Sequence, residues 1–411
     1  MRVSRPILAA ATTFVVAFAV LTQAGEPARD PAPPPRLAAA PGDAGRFTIM
    51  AASFLRRARE TGDAGAYRRA EGAIDRALAS APADAGALTE RGALRLARHD
   101  FRGALRDGLR AHRLAPEAVK PYGVLVDAYL ELGRYDRAAQ TLQTMVDLKP
   151  DLAAYARVSY FRELHGDLPG AVEAMELAVS ASGGAREDTA FAATGLGDLE
   201  FARGRLQASR RAYRQALAVR PRHIPARAAM ARLRAASGRL EAAARELRAI
   251  VDERPLPEYV VALGETELAA GRPARAARDL ALVRAQERLL RAGGVSTDVE
   301  LAIFEASHGD PAKGVAIARR AWAAAPSVRS ADALGWALTR AGRPRQALPW
   351  ARRALALGSR DPLFLFHAGM AARGAGERRL ARRRLARSLA GNPRFSALWA
   401  PRARRALETL R

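Results

Sequence analysis

The chain has 411 residues, 49% of them hydrophobic, and its 67 lysines and arginines against 42 acidic residues give a formal net charge of +25. This composition, dominated by alanine with scattered glycine and proline, indicates a helical chain with ample material for a core. Because the chain has no cysteine, disulfide bonds, thiolate zinc sites and cysteine nucleophiles are excluded. Arginine outnumbers lysine by 64 to 3, which a GC-rich genome would also produce, so the charge alone does not identify an anionic partner.

Residues 1–24 are predicted to be a secretory signal peptide. Arg2 and Arg5 precede an uncharged apolar run from Ile7 to Thr22, and the small residues around Ala24 suit a signal peptidase. The run is shorter than the roughly 20 residues that a membrane-spanning helix needs, which favours cleavage over retention as an N-terminal membrane anchor. We therefore expect an exported, extracytoplasmic protein that is secreted or held in the cell envelope.

Residues 25–45 contain six prolines among alanines and aspartates. Such a segment cannot form a core and is predicted to be a disordered, extended tether. After it, residues 46–395 show one pattern repeatedly, and residues 396–411 form an amphipathic segment with the features of a C-terminal capping helix.

The repeated pattern is clearest between Ala190 and Pro221. Apolar or small residues recur at helical spacing, are interrupted at Gly204, resume, and end at Pro221. Two amphipathic helices joined by a glycine turn explain this pattern. Equivalent windows begin 33, 34 or 38 residues apart, at Ala51, Ala85, Val119, Leu152, Ala190, Ile224, Pro257, Val295, Val328 and Pro362.

Within that window, Leu196-Gly197, Gly204, Tyr213, Ala216 and Pro221 resemble the signature of the tetratricopeptide repeat (TPR), a helical hairpin of 34 residues. Gly197 and Ala216 would allow two helices to approach closely. The resemblance implies an all-α fold, a right-handed α-solenoid of about ten TPR helical hairpins with a C-terminal capping helix. One hairpin cannot bury its own apolar face, so neighbours must share a core.

Two longer spacings insert four residues near 186–189 and 291–294, and whether these joints bend is left open by the sequence. The segment Leu280–Arg291 lacks the closing proline, which predicts an extra turn of helix there.

The search for catalytic motifs gives no enzyme. No phosphate-binding loop, nucleophile elbow, H-E-x-x-H or dinucleotide fingerprint occurs. His99, His165 and His308 fall beside the turns of different hairpins, which would separate them by roughly 20 Å, too far for a shared metal ion. No cofactor and no metal site are predicted.

In the family that the chain resembles, the first helix of each hairpin lines a concave groove. Carried over residue by residue, this gives as candidate ligand-binding residues Asp127, Glu131, Tyr160, Glu163, Asp198, Phe201, Glu265, Ile303 and Trp336. The family's carboxylate clamp, which uses lysine and asparagine, is absent because the chain has three lysines and the single asparagine Asn392. The first helices are nearly neutral, so most of the positive charge is predicted on the convex back.

The resemblance therefore implies a non-enzymatic protein–protein interaction scaffold of the cell envelope or secreted space that binds a peptide or protein segment in its groove. An alternative function is the binding of a polyanion, such as an anionic membrane or a cell-wall polymer, by the arginine-rich convex face. A third possibility is an array that serves an enzyme on another chain. Nucleic acid is not an expected partner, because no base-reading motif occurs and export argues against DNA.

Overall fold

The computed structural model describes residues 43–61 and 63–410, which form twenty-one helices and no strand. The predicted signal peptide lies outside the described residues, as does the predicted tether up to residue 42. The first helix already begins at Asp43, three residues before the predicted start of the repeats.

Ten consecutive helical hairpins make up most of the described chain, and we number them 1 to 10. Their helix pairs are α1 (Asp43–Thr61) with α2 (Ala64–Ser80), α3 (Ala85–Ala97) with α4 (Phe101–Leu114), α5 (Val119–Glu131) with α6 (Tyr135–Leu148), α7 (Leu152–Leu164) with α8 (Leu168–Ala181), α9 (Arg186–Ala202) with α10 (Leu206–Val219), α11 (Ile224–Ala236) with α12 (Leu240–Glu253), α13 (Pro257–Ala269) with α14 (Pro273–Ala292), α15 (Asp298–His308) with α16 (Pro311–Ala324), α17 (Val328–Arg340) with α18 (Pro344–Ala354), and α19 (Pro362–Gly374) with α20 (Arg378–Gly391). A last helix, α21 (Trp399–Glu408), follows. The predicted all-helical array of ten hairpins is confirmed.

Hairpin 5 shows why these residues form this unit. Tyr213 of α10 is fully buried and packs directly on Gly197 of α9, where any β-carbon would clash with its ring. Gly204 turns the chain between the two helices with a φ of +73°, a conformation that glycine adopts without strain. The close helix crossing predicted for Gly197 is therefore present.

The two longer spacings have different structural outcomes. The first insertion becomes the start of α9 at Arg186, and the second lies at the end of α14, which is 20 residues long and includes the predicted extra turn. Across the second joint, Phe304 of α15 packs in one cluster with Val283 of α14, and Arg284 Nε donates to Glu305 Oε1 at 2.7 Å. The joint is therefore bridged by side chains.

First helices lie on the inside of the array. Those of most neighbouring hairpins pack against each other, whereas no comparable packing links neighbouring second helices in the described chain. The apolar clusters likewise extend over several hairpins. We call the surface formed by the first helices the inner face and that formed by the second helices the outer face.

The array curves so far that its early hairpins contact loops in its C-terminal third. In hairpin 2 the backbone oxygen of Arg98 accepts a hydrogen bond from Ser296 N at 3.1 Å. In hairpin 3 the Tyr135 hydroxyl accepts one from Val328 N at 2.8 Å. Each of these turns thus contacts the loop that precedes the hairpin six positions later.

The same offset of six positions continues in hairpins 4 and 5. Phe161 and Leu164 of hairpin 4 share an apolar cluster with Ala354 and Phe364, which flank the loop before hairpin 10. In hairpin 5 the backbone oxygen of Phe201 accepts a hydrogen bond at 2.7 Å from Asn392 Nδ2, which precedes α21. We call this line of four contacts, between hairpins 2–5 and the loops before hairpins 8, 9 and 10 and before α21, the seam.

Among the described residues, no helix combines the length and the apolar character that crossing a membrane would require.

Candidate functional site: the inner face of the closed array

All nine predicted groove residues lie on first helices and therefore on the inner face. The array closes on itself, however, and most of their side chains contact other parts of the same chain. Their geometry is taken in chain order, beginning with the acidic residues of hairpins 3 to 5.

Asp127 is completely buried and pairs with Arg157 of the next hairpin, which is also buried. Arg157 Nε donates to Asp127 Oδ1 at 2.9 Å and Nη2 donates to Oδ2 at 2.7 Å. Burial raises the pKa of Asp127, and the Arg157 guanidinium acts in the opposite direction. This bidentate ion pair joins two first helices, and it leaves no room for a ligand at the Asp127 carboxylate.

Glu131 is buried and pairs across the seam. Arg329, at the start of α17, places Nη1 3.4 Å from Glu131 Oε1 and Nη2 2.9 Å from Glu300 Oε1. One guanidinium therefore links the inner faces of hairpins 3, 8 and 9.

Asp198 and Phe201 of α9 are buried by an arginine from hairpin 6. Asp198 Oδ1 accepts hydrogen bonds from the Tyr213 hydroxyl at 2.6 Å and from Arg232 Nη2 at 2.7 Å. The Arg232 guanidinium lies over the Phe201 ring, 4.7 Å from its centroid. Both residues thus take part in packing hairpins 5 and 6 together.

Tyr160 and Glu163 face the interior from α7. Burial raises the pKa of Tyr160, and the nearby Glu131 carboxylate raises it further. Glu163 is buried, and its pKa is raised well above the usual value by burial and then by the carboxylates of Asp361 and Asp198. No salt bridge joins Glu163 to a basic group in the described chain.

Trp336 lies in an aromatic cluster at the C-terminal end of the inner face. Its ring stacks on His367, with centroids 4.2 Å apart, and meets Trp399 of α21 edge-on at 5.9 Å. Its Nε1 donates to Ser307 Oγ at 2.9 Å. The indole is only 2% exposed.

Glu265 and Ile303 border this cluster and are half-buried. Trp399 Nε1 donates to Glu265 Oε1 at 2.9 Å, and His308 Nε2 lies 2.9 Å from the same oxygen. Helix α21 therefore reaches inward to hairpin 7, beyond the last hairpin that a simple end cap would cover.

Six of the nine predicted groove residues are buried within the array. Asp127, Glu131, Glu163, Asp198, Phe201 and Trp336 are buried because the seam, the arginines of neighbouring hairpins and α21 cover them. Contact of the nine residues with a partner stays a prediction. Sequence reasoning missed Arg157 and Arg329, and a usable signal was the presence of arginine on otherwise nearly neutral first helices.

Part of the inner face remains half-exposed. It lies on hairpins 5 to 8 and includes Phe191, Glu258, Val261, Glu300 and Ile303. Burial, and then the Glu300 carboxylate, raises the pKa of Glu258 to about 7. An acidic and apolar strip therefore faces the interior of the array.

No group of three or more metal-ligating side chains occurs within residues 43–61 and 63–410. The strip offers carboxyl groups and apolar side chains. This chemistry suits the binding of a cationic and apolar segment.

The described chain is thus an all-helical solenoid of two-helix repeats, a scaffold of the repeat-protein class. A family profile, the tetratricopeptide repeat, matches residues 95–159 and 200–266. These two segments are therefore similar to tetratricopeptide repeats, and proteins with such repeats generally bind protein partners.

Solved structures, two of the following three described as tetratricopeptide-repeat proteins, are similar to the chain. A thermophilic TPR protein from Thermus thermophilus is 23% identical, with 43% of this chain and 95% of that chain covered and a TM-score of 0.38. A tetratricopeptide repeat protein from Parabacteroides merdae is 18% identical, with 62% and 98% covered and a TM-score of 0.42. The pilF protein of Pseudomonas aeruginosa is 14% identical, with 52% and 92% covered and a TM-score of 0.37. No curated protein gives a significant match to the chain.

Proposed function

We propose that the protein is an interaction scaffold that binds a basic peptide segment of a protein partner on the half-exposed strip of hairpins 5 to 8. The observation that carries this proposal is the Glu258 carboxyl group, whose pKa is raised and which has no salt-bridge partner in the described chain.

The physical argument rests on charge compensation. Desolvation disfavours the charged form of a buried carboxyl group, and neighbouring carboxylates add to the effect. A lysine or arginine side chain placed between Glu258 and Glu300 would stabilise both carboxylates. Apolar neighbours of the basic residue would pack on Phe191, Val261 and Ile303, which are half-buried.

Binding of a cationic group should release a proton from Glu258. We would titrate the protein with a pool of short basic peptides and with a pool in which glutamine replaces every lysine and arginine. Isothermal calorimetry below pH 7, in two buffers with different ionisation enthalpies, measures the proton released. We expect tight binding and proton release with the basic pool only.

The matched variants are Glu258→Gln and Glu173→Gln. Glu173 lies on the outer face with a side chain that is 73% exposed, so its substitution should leave peptide binding unchanged. Glu258→Gln should weaken binding of the basic pool and abolish the proton release. Equal binding of both pools, or a Glu258→Gln variant that binds as the wild type does, would contradict the proposal.

The proposed place of action is the cell envelope or the secreted space, on the strength of the signal-like residues 1–24. Fractionation of cells that express the full chain, with N-terminal sequencing of the protein recovered, tests this. Recovery of the intact N terminus in the cytoplasmic fraction would contradict export.

A further inference from the structure

The outer face of hairpins 9 and 10 carries an uncompensated positive charge. Between residues 340 and 410 there are 17 arginines and only three acidic residues. Helices α18 and α20 contain no acidic residue at all, and six arginines lie on α20 alone.

Elsewhere many arginines of the array are paired. Arg91 Nη2 lies 2.8 Å from Asp107, Arg227 Nε 2.9 Å from Glu246, and Arg248 Nη2 3.0 Å from Asp279. On α18 and α20, by contrast, no salt bridge in the described chain involves Arg352, Arg353, Arg379, Arg382, Arg383, Arg384 or Arg387. Both regions are rich in arginine, so they differ in whether acidic side chains lie close enough to pair with it.

Arg384 lies at the centre of this cluster. It is half-buried, and its Nη1 is sealed from solvent without a hydrogen-bond partner in the described chain. Burial lowers the pKa of Arg384, and the neighbouring guanidinium groups of Arg383, Arg387 and Arg352 lower it further. Arg383 and Arg387 are the preceding residue and a residue one helical turn later on α20, and Arg352 belongs to α18, so positive charge from two outer helices acts on Arg384.

A buried donor without a partner costs free energy, and like charges at close range add to that cost. Both costs are reduced when an anion binds beside the guanidinium groups and the Arg384 side chain turns so that Nη1 reaches it. An anion with more than one charge or several acceptor oxygens suits this region best, because the charges of three further arginines act on Arg384.

We propose that Arg352, Arg383, Arg384 and Arg387 form a binding site for a phosphoryl group. A phosphoryl group presents a compact cluster of acceptor oxygens, which guanidinium groups bind with two parallel hydrogen bonds. A single carboxylate has only two oxygens and one negative charge, which is too little to pair with four arginines. This site is on the outer face and does not depend on the proposed peptide site.

The surroundings favour contact by charge alone. The exposed large apolar side chains of the described residues are Ile49, Met50, Leu114, Leu148, Leu177, Leu282 and Leu289, and none of them belongs to hairpins 9 and 10. The cluster therefore lacks the apolar groups that insert into a bilayer, and it would hold a lipid headgroup or a soluble phosphate at the surface.

The test measures thermal unfolding of the full chain with and without inorganic pyrophosphate. We expect pyrophosphate to raise the melting temperature of the wild type and to have no effect on a double variant, Arg383→Gln with Arg387→Gln. Without ligand, Arg384→Gln should melt at or above the wild-type temperature, because like-charge repulsion is removed. If Arg384 had a purely structural role, Arg384→Gln would instead lower the melting temperature.

The control is the double variant Arg211→Gln with Arg214→Gln on α10. It makes the same change in charge at exposed arginines that have no salt bridge in the described chain. Pyrophosphate should stabilise this variant as it stabilises the wild type. Equal stabilisation of both double variants, or of neither, would overturn the proposal.

Two further arms identify the source of the phosphoryl group. Cosedimentation with phosphatidylcholine vesicles containing phosphatidic acid, reduced about tenfold or more by the Arg383/Arg387 variant, would assign the site to a lipid headgroup. Binding of pyrophosphate without vesicle binding would assign it to a soluble phosphate. Binding of polyglutamate as tightly as of pyrophosphate would overturn the assignment to a phosphoryl group.

Discussion

The carbonyl oxygen of Gly391 lies against the α-carbon of Gly204, so close that a β-carbon on Gly204 would be 2.6 Å from it. The two residues are far apart in sequence and meet at the seam. Two features therefore require a glycine at position 204, namely the left-handed backbone conformation and the close approach of the Gly391 carbonyl oxygen.

Gly204→Ala should accordingly cost more stability than Gly342→Ala. Both glycines have a φ of +73° in a hairpin turn, but a β-carbon at Gly342 meets no atom within 4 Å. The shared backbone cost is about 1–2 kcal/mol, and we expect the seam clash to add about 1–3 kcal/mol for Gly204→Ala only. Urea denaturation measures the difference, and equal midpoints for the two variants would show that the seam does not form in solution.

Asn392→Asp should weaken the seam without changing the size of the side chain. Asn392 Nδ2 donates to the backbone oxygen of Phe201, whereas Oδ1 accepts from Arg394 N at 2.8 Å. Aspartate keeps the second interaction and loses the first, which leaves a carboxylate facing a carbonyl oxygen. We expect a loss of about 1–3 kcal/mol by chemical denaturation. A variant as stable as the wild type would contradict a structural role for this asparagine.

Trp399→Phe tests the contact between α21 and hairpin 7. The substitution keeps an aromatic ring in the cluster and removes the N–H that donates to Glu265. We expect a loss of about 1–3 kcal/mol, typical of a hydrogen bond to a charged group. Trp322→Phe is the control, because the Trp322 ring packs on Trp350 and its N–H has no hydrogen bond in the described chain. Similar thermal stabilities of the two variants would mean that α21 is not anchored by Glu265.

Stability should fall as the pH rises from about 4.5 to about 7, in part because of Glu258. Its pKa is raised from 4.5 to about 7, so the folded state binds more protons than the unfolded state in this range. The contribution is fully present below pH 4.5 and is lost as the pH passes the folded pKa. The free energy of unfolding of Glu258→Gln, subtracted from that of the wild type, should fall by on the order of 1–3 kcal/mol across this window.

Glu176→Gln provides the reference for this pH series. Glu176 is an exposed residue of the outer face with no salt bridge in the described chain, so its substitution makes the same change in charge without removing a buried carboxyl group. A change for Glu258→Gln no larger than that for Glu176→Gln would show that Glu258 is solvated in the folded protein.

The repeat period was enough to predict the hairpins, because the apolar spacing and the glycine turns are local features of each hairpin. Gly197 could be assigned to a helix crossing for the same reason. The seam could not be predicted in this way. Gly204 and Gly342 occupy the same position in their repeats and have the same φ, and only contacts with residues far along the chain distinguish them.

The inner carboxylates illustrate the same limit. On a first helix, Asp127 resembles a solvated residue of a groove, and its burial depends on Arg157 of the next hairpin. The number of hairpins in one turn of the array decides which loops face which turns, and this number depends on small angles added over many helix pairs. One feature of the composition pointed to the seam, namely that the chain has a single asparagine, Asn392. In the structure this residue lies at the seam and is 1% exposed.

The seam changes how this protein should fold. In an open solenoid each repeat touches only its neighbours, so unfolding can begin at either end and spread as in a one-dimensional chain. Here hairpin 5 is joined to the segment before α21, and hairpin 2 to the loop before hairpin 8. Contacts between residues nearly two hundred positions apart raise the contact order, which slows folding. During synthesis, hairpins 2 to 5 could not form their seam contacts until the C-terminal third of the chain had been made. Fraying of the last hairpins would likewise remove contacts that stabilise hairpins near the beginning of the array.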